Sequence, residues 1–336
     1  MRPLITLLAT SAVIAAAATP AAAAPTTVTT LHGETAVSAY DGVQAWSDLD
    51  PAAKQWHVSV RSDGQVTRPA IPAAEDAIEV DVGPGSDGAP VLAYLRCTDA
   101  CRVVVAGIDG GGAQTVPGSD GASHPTVWGS RVAWVRGRST VMTSTVTGGG
   151  RKVLAGAPRR KCYHPYTGRP RRCERPRNPS VDVLELRGTQ LALVDTYGLT
   201  AASGNGTTEV RTESVKGGPQ KLVALAAIGE SGQTWVGPSW ARGRLYFYKS
   251  CFGDPSGCVG GRGGAYGYDP ARRTYVHAKG STVLSGFAID DGGRRAYEAT
   301  AAGFGLPCGD ADARPCVLRL TDPLAFAPAR SLVRQP

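Results

Sequence analysis

The chain has 336 residues, of which 42% are hydrophobic and 19% charged, and its formal net charge at pH 7 is +8. Its 43 Gly and 24 Pro follow no period, which excludes a collagen-like chain, and the hydrophobic content is too high for a disordered one. The length allows two ordinary domains or one large all-β domain with a sizeable core.

The first element is an N-terminal leader. Arg2 precedes an apolar run from Leu4 to Ala18, which is too short to span a bilayer comfortably. Small residues follow, and a cut after Ala23 satisfies the A-x-A rule for signal peptides. We therefore predict a secretory signal at residues 1–23 and a mature chain, 24–336, without a membrane span. The mature protein should be secreted, extracellular or associated with the cell envelope.

Six units of about fifty residues follow the leader. Each contains four β-prone stretches separated by turns rich in Gly and Asp, such as RSDG, DGGG and TGGG. Val, Ile, Tyr, Trp and Thr at alternating positions are typical of half-buried strands. This pattern predicts an all-β fold, a six-bladed β-propeller of four-stranded antiparallel blades in a single domain. The predicted blades span approximately residues 34–72, 76–118, 123–157, 179–226, 233–280 and 281–336.

Two of these units carry a family resemblance. The segments HPTVWGSRVAWVRG, from His124, and VGPSWARGRLYFYKSC, from Val236, resemble the repeats of TolB-like six-bladed propellers. The resemblance implies the propeller fold, and such families include secreted partner-binding proteins and the non-catalytic propellers of some peptidases. A strong excess of Arg over Lys suggests a GC-rich coding sequence, so we expect a secreted bacterial member of actinobacterial type. The G-x-S-x-G motif of serine hydrolases is absent from the sequence.

The eight cysteines fall into four pairs that are close in sequence. An exported protein meets an oxidising compartment, so we expect four local disulfides. An alternative is a zinc site at Cys162, His164 and Cys173, but the usual C-x-x-C spacing is missing, and we predict neither a metal nor a cofactor. The expected pairs are Cys97–Cys101, Cys162–Cys173, Cys251–Cys258 and Cys308–Cys316.

Propeller geometry assigns the loops to two faces. We call the side where the inner strands begin the entry face; it carries the blade-to-blade connections and the loops between second and third strands. The exit face carries the remaining, uniformly short turns. All four predicted disulfides and the long loop 196–208 should lie on the entry face, where a rigid scaffold commonly presents binding residues.

A basic insert, residues 158–178, joins the third and fourth units. It holds eight basic residues against Glu174, a net charge of +7, so the rest of the mature chain is neutral on balance. Dense Arg suits carboxylate or phosphate ligands, although such a run can also be a solvated loop. The candidate ligand-binding residues are Arg159, Arg160, Lys161, Tyr163, Tyr166, Arg169, Arg171, Arg172, Arg175 and Arg177.

Catalytic patterns are scarce. None of the five His lies in a metal or triad spacing, although His124 could reach the central channel. Four Asp near inner strands could ring the channel mouth, bind Ca²⁺ or simply form turns; they are Asp41, Asp81, Asp182 and Asp290. Three or more convergent Asp, Glu, Asn or His in the channel would favour an enzyme, whereas an apolar or Gly-lined channel would favour binding. We assign no catalytic residue.

The predicted function is therefore a secreted, non-catalytic binding propeller. It would engage an acidic ligand or a protein partner at the cell envelope through its disulfide-pinned loop face. Nucleic acid is disfavoured because no base-reading element is visible, and we expect a monomer. One alternative is a lactonase-like or quinoprotein-like enzyme with a site in the channel. Another is a protein scaffold whose binding does not depend on charge.

Overall fold

The computed structural model describes residues 24–154, 162–163, 170–171, 178–198, 206–228, 232–251, 263–280, 282–290, 295–301, 308, 316–322 and 324–332. The predicted signal at 1–23 and most of the basic insert lie outside these residues. Within the described ranges the regular structure is entirely β, and no helix is long and apolar enough to cross a membrane.

The strands form six antiparallel sheets and one short hairpin. The first strand and the first two sheets contain β1 (Thr26–Leu31), β2 (Val37–Tyr40), β3 (Val43–Asp50), β4 (Gln55–Ser62), β5 (Gln65–Thr67), β6 (Val80–Pro84), β7 (Pro90–Cys97), β8 (Cys101–Gly107) and β9 (Gln114–Thr115). The third sheet, the hairpin and the fourth sheet contain β10 (Ala122–Trp128), β11 (Arg131–Arg136), β12 (Thr140–Thr145), β13 (Lys152–Leu154), β14 (Cys162–Tyr163), β15 (Pro170–Arg171), β16 (Ser180–Arg187), β17 (Gln190–Tyr197), β18 (Gly206–Ser214) and β19 (Lys221–Ile228). The last two sheets contain β20 (Gln233–Ala241), β21 (Arg244–Cys251), β22 (Gly264–Asp269), β23 (Thr274–Lys279), β24 (Leu284–Asp290), β25 (Arg295–Thr300), β26 (Cys316–Thr321) and β27 (Ala327–Ala329).

The predicted fold, a six-bladed propeller of four-stranded antiparallel blades, is confirmed. The sixth unit differs from the expectation that residues 281–336 supply all four of its strands. Its outer strand is β1, which pairs with β26, so the N-terminal strand closes the ring. The C-terminal strand β27 instead adds a fifth strand to the fifth blade by pairing with β23. Closure by β1 therefore joins the N-terminal strand to the three strands of the sixth unit in one sheet.

Among the described residues, the hydrophobic core consists of six clusters, one between each pair of neighbouring blades. Successive residues of a strand point to opposite faces, so they enter different clusters. Ala45 packs between blades one and two, whereas its neighbour Trp46 packs between blades six and one. The central strands were expected to be half-buried, but Val132 to Val135 in β11 are buried on both faces. The physical reason is that each blade is covered by a neighbour on either side.

Candidate functional site

The six inner strands surround a central channel. They are β2, β6, β10, β16, β20 and β24; each packs against the next, and β24 packs against β2. A cavity of about 590 Å³ occupies the entry end of the channel, and a smaller one of about 230 Å³ lies at the exit end. We call them the entry cavity and the exit cavity.

Acidic side chains converge on the entry cavity, and all except Glu185, which lies further along β16, sit at or near the beginnings of inner strands. They come from blades one, two and four and lie beside His124 of blade three. Blades five and six contribute an apolar wall that includes Trp235 and Phe287. This convergence is the feature that favours the enzyme alternative. The acidic residues are Glu34, Glu79, Asp81, Asp182 and Glu185.

Two of these acids also join blades to one another. Asp81 accepts a hydrogen bond from the Ser38 hydroxyl at 2.6 Å and another from the Val127 N–H at 2.9 Å. The Val82 N–H in turn donates to the Ser38 oxygen at 3.0 Å. Glu185 of blade four accepts the backbone N–H of Trp240 in blade five. These acceptors hold neighbouring inner strands at a fixed spacing around the cavity.

The same kind of bond continues around the whole ring. The Leu186 N–H donates to Thr126 Oγ1 at 2.9 Å, and the Ile289 N–H donates to Ser239 Oγ at 3.2 Å. At the sixth junction the Gly42 N–H donates to Asp290 Oδ2 at 2.9 Å. Every blade therefore offers a side-chain oxygen to a backbone N–H of the next blade. Asp81 and Asp290, noted in the sequence as turn or channel residues, thus have structural roles in this ring.

Burial changes the acidity of the entry cavity. Desolvation raises the pKa of Asp81, although its hydrogen bonds act in the opposite direction. Desolvation raises the pKa of Glu185 well above its ordinary value, and the negative charge of Asp81 adds to the effect. The pKa of Glu34 is also raised by desolvation. A positively charged group in the cavity would offset the repulsion between Asp81 and Glu185 and would favour the ionised form of the carboxyl groups.

His124 and Glu79 form a pair at the rim of the entry cavity. His124 has a left-handed backbone (φ 50°), and its N–H donates to the Glu79 carboxylate. Its Nδ1 lies 3.3 Å from Glu79 Oε2, and both side chains are partly exposed. Across the described ranges, no three His, Cys, Asp or Glu side chains are grouped so that they could hold a metal ion.

Two of the predicted disulfides are present, Cys97–Cys101 and Cys308–Cys316. Both close connections between second and third strands, which places them on the entry face. Cys251 is also disulfide-bonded, but Cys258 and Cys173 lie outside the described residues. Disulfides are typical of proteins that fold outside the reducing cytoplasm.

The side chains of the ten candidates Arg159 to Arg177 lie outside the described residues. Of these candidates the structure places only the backbones of Tyr163 in β14 and Arg171 in β15. Leu154 precedes the insert and Asn178 is its last residue. Both belong to the entry face because an outer strand ends before the insert and an inner strand begins after it. Sequence reasoning missed Glu34, Glu79 and Glu185. An acid just before an inner strand is the signal that could have found Glu34 and Glu79, whereas Glu185 lies well inside β16 and offers no such signal.

No protein-family model matches this sequence, and no curated protein matches it. Among solved structures, TolB from Acinetobacter baumannii is similar with a TM-score of 0.51 and 11% identity over 86% of this chain. This chain spans 64% of that TolB chain. The structure of U3-55K is similar with a TM-score of 0.52 and 9% identity, over 88% of this chain and 98% of the other. At these identities the comparisons show the propeller fold alone.

Proposed function

We propose that this chain is a secreted, non-catalytic binding propeller that holds a protein partner on its entry face. The acid-lined entry cavity carries the proposal, because the carboxyl groups that favour an enzyme also suit a cationic side chain when an apolar wall faces them. Five carboxyl groups from three blades surround about 590 Å³, opposite an apolar wall. This combination suits a Lys or Arg side chain, whose aliphatic stem can pack on Trp235 and Phe287 while its charge meets the carboxylates.

The basic insert extends the same face. Its net charge of +7 is concentrated in 21 residues, and the strands on either side of it end and begin on the entry face. An acidic surface on the partner, or another acidic ligand, would bind there through several Arg acting together. The support for this part of the proposal is the sequence of the insert and the position of its two ends.

Binding of a short Lys-rich peptide and of poly-glutamate, by calorimetry at two salt concentrations, tests the proposal. E34Q/E79Q/D182N should weaken peptide binding about tenfold or more, because charge-assisted hydrogen bonds contribute about 1.5–3 kcal/mol. The matched control is D63N in an exposed exit-face turn, where Asn tolerates the left-handed backbone at φ 51°. R169A/R171A/R172A should weaken poly-glutamate binding and reduce its salt dependence.

Unchanged ligand binding in both triple variants would overturn the proposal. Ligand binding that does not change with salt concentration would favour the scaffold whose binding does not depend on charge.

A propeller enzyme is the second candidate. The Glu79–His124 pair and the convergent carboxyl groups are the observations that favour it, because such pairs can move protons. A panel of lactones and sugar alcohols, assayed with and without added Ca²⁺ or quinone cofactor, tests this alternative. Turnover that H124A abolishes, while binding of the Lys-rich peptide persists, would replace the binding proposal with an enzymatic one.

A further inference from the structure

The exit cavity differs from the entry cavity in the chemistry of its lining. It holds three aromatic residues and two Arg where inner strands end and first turns begin. Tyr40 comes from blade one, Trp128 from blade three, Arg187 from blade four, and Trp240 and Arg242 from blade five. Its volume, about 230 Å³, is suited to a small molecule or to the end of a chain.

Two residues that line this cavity carry buried hydrogen-bond donors that lack acceptors among the described residues. The Nη1 of Arg187 and the Nε1 of Trp240 are buried, and among the described residues neither has a hydrogen-bond partner. Trp240 as a whole residue is only 9% exposed. Buried donors are almost always satisfied in folded proteins, and a charged donor without an acceptor is especially unfavourable. Trp46, Trp134 and Trp235 also have Nε1 donors without partners among the described residues, so the charged Arg187 donor at this cavity is the observation that indicates a ligand that accepts hydrogen bonds.

Aromatic contacts hold Arg187 in place. Its guanidinium carbon lies 5.8 Å from the ring centroid of Trp128, a cation–π distance. The ring of Tyr40 packs edge-on against the ring of Trp128, with centroids 5.5 Å apart and ring planes at 81°. The three side chains therefore bridge blades one, three and four across the exit end of the channel. A guanidinium fixed in this way is preorganised for a planar acceptor.

The surrounding charges restrict the ligand further. Asp41 and Asp290 also line the cavity and balance the two Arg, so its formal charge is zero. The carboxylate of Asp290 is engaged by the Gly42 N–H and by Gln44 Nε2 at 3.2 Å. A doubly charged phosphate would meet repulsion from these acids, whereas a single carboxylate matches the fork of Arg187.

We propose that the exit cavity is a carboxylate-binding site, in which Arg187 and Trp240 donate to one carboxylate and Tyr40 and Trp128 wall it. The carboxylate can come from a small organic acid or from the C-terminus of a peptide. The site is independent of the entry face and of the function proposed for it.

The test titrates the full mature chain with acetate, benzoate, phosphate and a short peptide prepared with either a free or an amidated C-terminus. Calorimetry gives affinities, and the fluorescence of the cavity tryptophans gives a second readout. R187Q should weaken carboxylate binding about tenfold to hundredfold, and W240F, which keeps a smaller aromatic ring but lacks the N–H, about twofold to tenfold. The matched control is R138Q, an exposed Arg on the entry face, which should bind as the parent does.

Thermal unfolding of each variant shows whether weaker binding results from damage to the site or from loss of the folded structure. If R187Q does not fold, W240F still tests the inference. Tighter binding of the free-acid peptide than of acetate or benzoate identifies a chain end, and the reverse order identifies a small acid. The entry-face variant E34Q/E79Q/D182N should bind these probes normally, so the two proposals fail separately. The absence of carboxylate binding, or equal affinities in the parent, R187Q and W240F, would overturn the inference.

Discussion

Leu31 lies opposite Cys316 in the antiparallel pair of β1 and β26, although nearly the whole chain separates them in sequence. Both residues are buried, at 1% and 0% exposure, in the cluster between blades six and one. Cys316 is also tied to Cys308 by a disulfide in the same blade. One small region therefore combines strand pairing, core packing and a covalent link at the position where the ring closes.

Shortening the Leu31 side chain should weaken this closure. L31A removes buried methyl groups that pack with the core of blades six and one, and such changes typically cost about 2–5 kcal/mol. Urea-induced unfolding followed by tryptophan fluorescence measures the loss. T30A in the same strand is the matched control, because Thr30 is exposed and its change should stay within about 0.5 kcal/mol. Equal effects of the two changes would show that β1 contributes little to ring stability.

The two described disulfides should differ in their contribution to stability. Cys308–Cys316 closes a longer segment, with a sequence separation of 8 against 4, and Cys316 is fully buried at the ring closure. Cys97 is exposed in a tight hairpin loop. Because longer loops lose more chain entropy on cross-linking, C308S/C316S should lower Tm more than C97S/C101S does. Calorimetric scans without reductant compare them, and the opposite order would contradict this expectation.

Glu185 predicts a pH dependence of stability. Its pKa is raised in the folded chain from an ordinary value of 4.5, first by desolvation and then by Asp81. The stability associated with its protonated form is fully present below the ordinary pKa and is lost as pH rises through the raised value. E185Q keeps an oxygen for the Trp240 N–H but cannot ionise, so its Tm advantage over the parent should grow as pH rises above 4.5, the ordinary pKa of a Glu carboxyl group. The exposed-site control E75Q should show a constant difference, and a constant difference in E185Q would contradict the prediction.

Gly83 permits the close approach of blades two and three. A Cβ added at this position would lie 2.2 Å from the carbonyl oxygen of Val127 in β10. The Gly129 N–H donates to the Pro84 oxygen at 2.8 Å beside it, so the two inner strands cannot separate without losing this bond. G83A should destabilise the fold by about 1–3 kcal/mol.

The matched control for G83A is G149A. Its Cβ would meet only the Thr145 hydroxyl oxygen, at 3.2 Å, which can move away more easily than backbone can. Chemical denaturation of both variants provides the comparison. A smaller loss in G83A than in G149A would show that the blades can move apart at low cost.

The sequence predicted most of the fold because strand and turn signals are local. Alternation such as VAWV in β11 and Gly-containing turns such as TGGG recur in every unit, and the repetition itself indicates blades. The disulfides Cys97–Cys101 and Cys308–Cys316 followed from short spacing. The residues of the candidate site were harder to predict from the sequence. Glu34, Glu79 and Glu185 are isolated acids in three different units, and Arg187 and Trp240 look like ordinary strand ends.

By itself, then, the sequence determined the class of fold, the number of blades, the faces to which the loops belong and the concentration of positive charge in residues 158–178. The tertiary structure alone decided that β1 closes the ring and that β27 joins the fifth blade. The reason is that the unpaired backbone groups of an edge strand can pair with any strand that lies alongside in register. It also decided which side chains share a cavity. Residues on six inner strands meet at one axis only after the ring of blades has closed. A local sequence pattern therefore cannot predict a contact between residues that are a blade or more apart.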